Sequence, residues 1–128
     1  MKNRILKNSL RIIAAVILIQ TLYFKFTGAP ESIYIFTQLG IEPYGRIGSG
    51  IVELIASVFL LLPKTIYIGA ILGLASMFGA IFSHIFVLGI EVQNDGGTLF
   101  ALALLVFLCC SILLFLERSK IKNFLKFK

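Results

Sequence analysis

The sequence of 128 residues contains four long apolar blocks, and turn-forming residues separate each block from the next. The blocks cover about residues 10–26, 47–62, 66–90 and 99–116. Because an α-helix rises 1.5 Å per residue, about 20 residues cross the roughly 30 Å hydrocarbon core of a bilayer. We therefore predict an all-α fold, a four-transmembrane-helix bundle formed by a single integral membrane domain over residues 1–128.

The composition supports a membrane protein and argues against a nucleic-acid partner. The chain is 59% hydrophobic and 14% charged, with a mean hydropathy of +0.99. So few charged residues could not cover the surface of a soluble domain of this size. The net charge of +6 comes from basic residues that lie almost entirely outside the apolar blocks. We expect the lipid bilayer as a partner and no nucleic acid.

The distribution of basic residues predicts the orientation of the chain. Ten of the twelve Lys and Arg residues lie before the first block, in the turn at Lys64, or in the basic tail 117–128. Only Lys25 and Arg46 lie towards the opposite side. Since cytoplasmic loops carry the excess of Lys and Arg, both termini are predicted to be cytoplasmic.

The connection between the first two blocks is predicted to contain a short helix. Pro30 suits a first helical position, Glu31 suits the positive end of a helix, and Gly40 suits the position past its end. Apolar residues recur between them at helical spacing: Ile33, Phe36 and Leu39. We interpret this segment as an interfacial, lid-like helix on the outer side.

Polar residues inside the apolar blocks are the candidates for function, because each ionisable one costs about 2.5–3.5 kcal/mol to insert into a bilayer. Gln20 and Lys25 lie in the first block, Glu53 in the second and His84 in the third. Their distances from the block ends place Gln20, Glu53 and His84 roughly 10 Å deep in the outer half, with Lys25 nearer the edge. Three residues near the outer mouth are secondary candidates: Glu31, Arg46 and Asp95.

Two interpretations of this polar layer remain open. It could be a structural network in which Glu53 pairs with Lys25 or His84 to lock the bundle. It could instead be a ligand-binding or proton-handling site, for which buried acid, base and amide groups are suited. A single histidine and the absence of suitably spaced cysteines predict no metal site.

An ordered set of short motifs resembles the DoxX family over about residues 19–105. The motifs are the run 20–28 (QTLYFKFTG), Leu39-Gly40, Glu42-Pro43, Arg46, Gly50-x-x-Glu53, Gly79-Ala80, His84, Leu88-Gly89-Ile90 and Asn94-Asp95-Gly96-Gly97. One departure is Leu22, where many relatives have glycine. The resemblance implies a four-helix protein of the bacterial cytoplasmic (inner) membrane, linked to membrane redox systems that include a quinone-reducing thiosulfate oxidoreductase. The positions that match and could carry function are Lys25, Glu53 and His84.

Three functional hypotheses follow. The first is a subunit or partner of a membrane redox system that binds a small ligand, with quinone as the possible cofactor. In it His84 exchanges the proton, Glu53 orients His84, Lys25 counters negative charge, and a redox enzyme partner supplies the electron carrier. The second is a non-enzymatic scaffold or assembly factor with a structural polar network. The third is a small proton-coupled transporter. The sequence predicts neither catalytic activity nor an oligomeric state.

Overall fold

The computed structural model describes residues 2–92 and 95–126, and every regular element within them is helical. In chain order the helices are α1 (Lys2–Thr27), α2 (Pro30–Gln38), α3 (Tyr44–Leu61), α4 (Ile66–Ser83), α5 (Thr98–Leu116) and α6 (Arg118–Lys126). A π-helical turn, His84–Leu88, continues α4. Asn94 of the predicted turn and residues 127–128 of the predicted tail lie outside the described residues.

The prediction of four helices that are able to span a membrane is confirmed. Helices long and apolar enough to cross a membrane cover Arg4–Thr27, Tyr44–Leu61, Ile66–Leu88 and Thr98–Leu116. Three boundaries differ from those predicted by two residues or more. The second helix begins at Tyr44 instead of residue 47. The first helix begins well before residue 10, because its polar N-terminal residues continue the same helix. The third ends at Leu88 instead of residue 90, because Gly89 takes a φ of +86°, which breaks helical geometry.

The four long helices pack in a ring around one cluster of buried residues. Helix α1 packs against α3 and α5, and α4 packs against the same two helices. The contact between α3 and α4 is close because it passes over Gly69. A Cβ there would lie 2.6 Å from the Leu60 amide nitrogen and 2.8 Å from the Ala56 carbonyl oxygen. Small residues commonly allow such close approach between membrane helices.

The interior is packed in one half and open in the other. We call the half beside α2 and the 89–97 connection the α2 half, and the half beside the described chain ends the terminal half. At the boundary, a Cβ on Gly73 would lie 2.8 Å from Cys110 Sγ and 3.9 Å from Leu18 Cδ1, so three helices close the centre there. The cavity described below lies in the α2 half.

Helix α2 is present where the sequence predicts a short helix. Pro30 occupies its first turn, Glu31 is the acidic residue of that turn, and Gly40 follows its end with a φ of +75°. Ser32 and Phe36 are buried, because this side of α2 packs against the bundle. The helix therefore covers part of the α2 half. Its position at a membrane interface and the cytoplasmic location of the termini stay predictions.

At the opposite end a buried carboxylate joins three helices. Glu117, between α5 and α6, is 2% exposed. Its carboxylate accepts hydrogen bonds from Lys7 Nζ at 3.2 Å and Lys120 Nζ at 3.4 Å. Arg11 donates from Nη1 to the carbonyls of Leu60 and Leu61 at 3.1 and 2.8 Å, which satisfies acceptors at the end of α3. Residues predicted only to set orientation thus also hold helix ends together.

Candidate functional site

A cavity of about 700 Å³ occupies the α2 half of the bundle. Most residues of its wall are apolar, and they come from all four long helices, from α2 and from the π-helical turn. The four principal sequence candidates all line it, and so do two of the three secondary candidates: Gln20, Lys25, Glu53, His84, Glu31 and Asp95. Arg46 does not line it. The structure therefore brings the predicted polar residues of three helices to one space.

Glu53 is the most buried charged residue of this cavity, with 2% of its surface exposed. One carboxylate oxygen, Oε2, pairs with Lys25 Nζ, and the other, Oε1, accepts a hydrogen bond from Thr21 Oγ1 at 3.1 Å. Thr21 and Lys25 lie four residues apart on α1, so a helix presents both on the same face. Glu53 thus has two partners on α1, and its ion pair lies in the cavity wall.

Lys25 is held from both sides. Its ammonium group lies 5.6 Å from the centre of the Phe36 ring of α2. Its backbone carbonyl accepts a hydrogen bond from Arg46 Nη1, while Arg46 Nε donates to both oxygens of Glu42 at 2.9 and 3.1 Å. Arg46 therefore joins the end of α1 to the start of α3. Its contacts are those of a positioning residue outside the cavity.

His84 opens the π-helical turn and is 5% exposed. Its Nδ1 lies 3.0 Å from the Gly89 carbonyl oxygen, and its ring meets Phe100 of α5 edge to face with 5.5 Å between centroids. A carbonyl only accepts, so Nδ1 is the protonated donor in this hydrogen bond, and Nε2 is the ring nitrogen that remains for another partner. His84 is therefore oriented by Gly89, and not by Glu53 as the first hypothesis has it.

Asp95 organises the connection that leads into α5. Its Oδ1 accepts the amide hydrogens of Val92 and Gly97 at 3.0 and 2.8 Å, and its Oδ2 accepts that of Leu99 at 3.1 Å. Burial raises the pKa of Asp95, but these three amides and the charge of His84 lower it by more. The net result is a pKa below the ordinary value of 3.8. The carboxylate is ionised, and its bonds hold the connection in place.

Gln20 and Glu31 differ from the other candidates because both are exposed while lining the cavity. Gln20 lies on the α1 wall, and Glu31 lies in the first turn of α2. Among the described residues, no hydrogen bond joins the Gln20 side chain to another group. These two residues mark places where the cavity reaches the surface.

Three features of the site were not predicted from the sequence. Thr21 bonds to Glu53, and its spacing of four from Lys25 was the only available signal. The π-helical turn at His84 had no sequence signal apart from the following Gly89; such turns are frequent at functional sites. Gly79 lines the cavity, and a Cβ there would meet nothing within 4 Å.

The family of the chain follows from comparison with known proteins. The DoxX family model matches residues 6–88, which run from α1 to the end of the π-helical turn. The chain belongs to the DoxX family. The match includes Lys25, Glu53 and His84 of this DoxX protein and ends before α5. No curated protein and no solved structure matches the chain significantly.

Proposed function

We propose that this DoxX protein is a subunit or partner of a membrane redox system and binds a small ligand, such as a quinone head group, in the α2-half cavity. One observation carries the proposal: the buried Glu53–Lys25 pair and His84 face the same largely apolar space of about 700 Å³. Ligand pockets commonly combine apolar walls of this volume with a few convergent polar groups. Fold and family alone do not carry an activity.

Each polar residue has a distinct role in this proposal. Lys25 donates a hydrogen bond to a ligand oxygen and balances negative charge on it. Glu53 and Thr21 hold the lysine side chain at the wall. His84 takes or returns a proton at Nε2, because its Nδ1 is engaged with Gly89. The residues of this chain bind the ligand and handle its proton, and a redox partner supplies the electrons.

The proposal includes a location. The excess of Lys and Arg at the terminal end supports insertion in the bacterial inner membrane with both termini in the cytoplasm. The α2 half then belongs to the outer leaflet, and α2 lies at the outer interface. The ligand site is therefore reached from the outer side of the membrane or from the outer leaflet.

A structural role is the second candidate, because the polar groups are already satisfied. Within the described ranges 2–92 and 95–126, no buried side-chain nitrogen or oxygen lacks a hydrogen-bond partner. Such a network would lock α1 to α3 in a scaffold or assembly factor with no ligand. This alternative predicts that changes at Glu53 alter stability and partner recovery only.

Obstructing the cavity separates the two roles. Ubiquinone-1 binding is measured by equilibrium binding to the protein in nanodiscs, for the wild type and for His84→Ala and Gly79→Leu. Gly79 lies at an exposed edge of the cavity, a Cβ there meets no atom within 4 Å, and leucine favours a helix, so Gly79→Leu should obstruct this edge without lowering the melting temperature. Both variants should lose binding by about tenfold or more, equivalent to about 1.4 kcal/mol.

Leu104→Phe is the matched control, since Leu104 is exposed on α5 and does not line the cavity. It should bind ubiquinone-1 as the wild type does. If the wild type binds no ubiquinone-1, the proposed quinone ligand is wrong, and if Gly79→Leu binds it with unchanged affinity, the proposed site is wrong. A Glu53→Gln variant that loses only stability would then support the structural role.

A further inference from the structure

Part of the cavity wall reaches the outer surface of the bundle on one edge of α1. Gln20 and Phe24 line the cavity, lie one helical turn apart and are both exposed. On the same helix, the Phe26 ring lies 2.8 Å from the place of a Cβ on Gly50 of α3. Residues two apart on a helix point in nearly opposite directions. Phe24 therefore points away from Gly50, and the Gln20–Phe24 edge lies on the side of α1 that Gly50 does not cover; α5 is the other neighbour of α1.

A matching edge lies on α5. Thr98 is exposed, Leu102 is half-buried, and both line the cavity one helical turn apart. Phe100, midway between them, contacts the ring of His84 in the turn that continues α4. By the same geometry the Thr98–Leu102 edge faces away from α4, towards α1. We call the boundary formed by Gln20, Phe24, Thr98 and Leu102 the α1–α5 seam.

The α1–α5 seam has fewer polar and ring contacts than the neighbouring helix contacts of the α2 half. Glu53 bonds α3 to α1 through Lys25 and Thr21, and His84 meets Phe100 between the continuation of α4 and α5. Among the described residues of the α2 half, no hydrogen bond, ion pair or ring contact joins α1 to α5. Separating α1 from α5 in this half therefore breaks only apolar contacts and does not require a buried hydrogen bond or ion pair to break.

The depth of the seam identifies what lies outside it. Gln20 is seven residues before the end of α1 at Thr27, which places it roughly 10 Å along the helix from that end. In a spanning helix this level lies among acyl chains and below the head groups. The amide of Gln20 would then face hydrocarbon without a partner, which is unfavourable unless a polar group passes or rests beside it.

We propose that the cavity admits a bilayer-resident amphiphile through the α1–α5 seam. Its polar head lies at Lys25 and His84, and its apolar tail extends past Gln20 and Phe24 into the membrane. This inference rests on the proposed function for the ligand site and adds the ligand class and the route. A cavity of about 700 Å³ holds a head group and the first carbons of a tail, so a long tail leaves through the seam.

Acyl-chain entry is testable with a single fluorescent reporter, because the chain has no tryptophan. Met77→Trp places one on α4 at a buried residue of the cavity wall, and Leu108→Trp places one at an exposed residue of α5 outside the cavity. Both are measured in nanodiscs of lipids brominated in the middle of the acyl chain. Bromine quenches near contact, so Met77→Trp should lose about half its fluorescence or more, as Leu108→Trp does.

A second substitution tests the route. Gln20→Phe adds apolar bulk at the seam and should return most of the lost fluorescence of Met77→Trp, while Leu104→Phe on the lipid-facing surface of α5 should return none. Leu99→Trp, at a half-buried cavity residue, is the reporter if Met77→Trp does not fold. No quenching of a folded cavity reporter, or quenching that Gln20→Phe leaves unchanged, would overturn the inference.

The outcome is independent of the ubiquinone-1 experiment. Quenching that Gln20→Phe blocks, together with no ubiquinone-1 binding, would keep the route for an amphiphile and reject the quinone. Ubiquinone-1 binding without acyl-chain quenching, and with quenching of Met77→Trp by aqueous iodide, would keep the site and reject the lateral route.

Discussion

The two halves of the bundle each contain a buried glutamate that pairs with lysine, but only Glu53 lines the cavity of about 700 Å³. Glu53 and Glu117 are each 2% exposed. Glu53 lies within a spanning helix beside a space of about 700 Å³, whereas Glu117 lies at the junction of α5 and α6, with Lys7 and Lys120 partly exposed beside it. Burial and pairing therefore do not by themselves identify a functional acid. The open space beside Glu53 is what separates the two.

Removing one lysine from each pair should give the largest difference between the halves. Lys25→Met leaves the Glu53 carboxylate buried without its counter-charge, which costs about 3–5 kcal/mol for a buried pair. Lys7→Met leaves Glu117 paired with Lys120, and because both of these lysines are more exposed than Lys25, loss of one ion pair costs about 0–1 kcal/mol. Thermal unfolding in nanodiscs measures both.

The double variant Lys25→Met/Glu53→Gln is the control for this comparison. It removes both charges and should recover most of the stability that Lys25→Met loses. Equal losses for Lys25→Met and Lys7→Met would show that the Glu53 site is as well solvated as the Glu117 site, and the comparison would fail.

Adding a methyl group to a glycine in each half tests the difference in packing. Gly69→Ala forces a Cβ to within 2.6 Å of the α3 backbone, and overpacking of this kind costs about 1–3 kcal/mol. Gly79→Ala adds a Cβ that contacts no atom within 4 Å, and it should stabilise α4 by about 1 kcal/mol through helix propensity. Opposite shifts of the melting temperature are expected, and a loss at Gly79 similar to that at Gly69 would contradict an open α2 half.

The outline of this fold was predictable because bilayer thickness sets the length of apolar blocks. The four spans were found from such blocks, and α2 was found from Pro30 and Gly40, which act through the local backbone. The level of each polar residue along its helix was also predictable, because it follows from the number of residues between that residue and the end of its block. That counting placed Gln20, Glu53 and His84 near one level with Lys25 nearer the edge, and the structure brings all four to one cavity.

The partners within the layer were not predictable, because depth along a helix does not determine which neighbouring helix a side chain faces. Either Lys25 or His84 could have paired with Glu53; the structure has Lys25, together with Thr21. The burial of Glu117 was missed for a related reason. A charged residue just after an apolar block indicates a helix end, and only packing of α1 and α6 shows that it is enclosed.

Asp95 extends the comparison to a carboxylate that accepts hydrogen bonds from backbone amides instead of pairing with a lysine. Its folded pKa lies below the ordinary 3.8, so the stability it contributes is present above that pH and is lost as the pH falls through the folded pKa. The melting temperature of the wild type should therefore fall in this acid range, and Asp95→Asn should lack that part of the fall. Near neutral pH, Asp95→Asn should be about 1–2 kcal/mol less stable, because a charge-assisted bond to an amide is replaced by a weaker one.

Thr98→Val is the matched control, because Thr98 bonds only to the backbone carbonyl of Asp95 from its side chain and does not titrate. Its melting temperature should keep the acid-dependent fall of the wild type. If Asp95→Asn keeps the same fall in melting temperature, the Asp95 carboxylate is not the group that titrates. The hydrogen bonds from backbone amides to this carboxylate would then contribute little to stability. If Asp95→Asn alone lacks the acid-dependent fall in melting temperature, then the stability of the α2 half depends on the Asp95 carboxylate, which lies outside the spanning helices. It would act in addition to the Glu53–Lys25 pair within those helices.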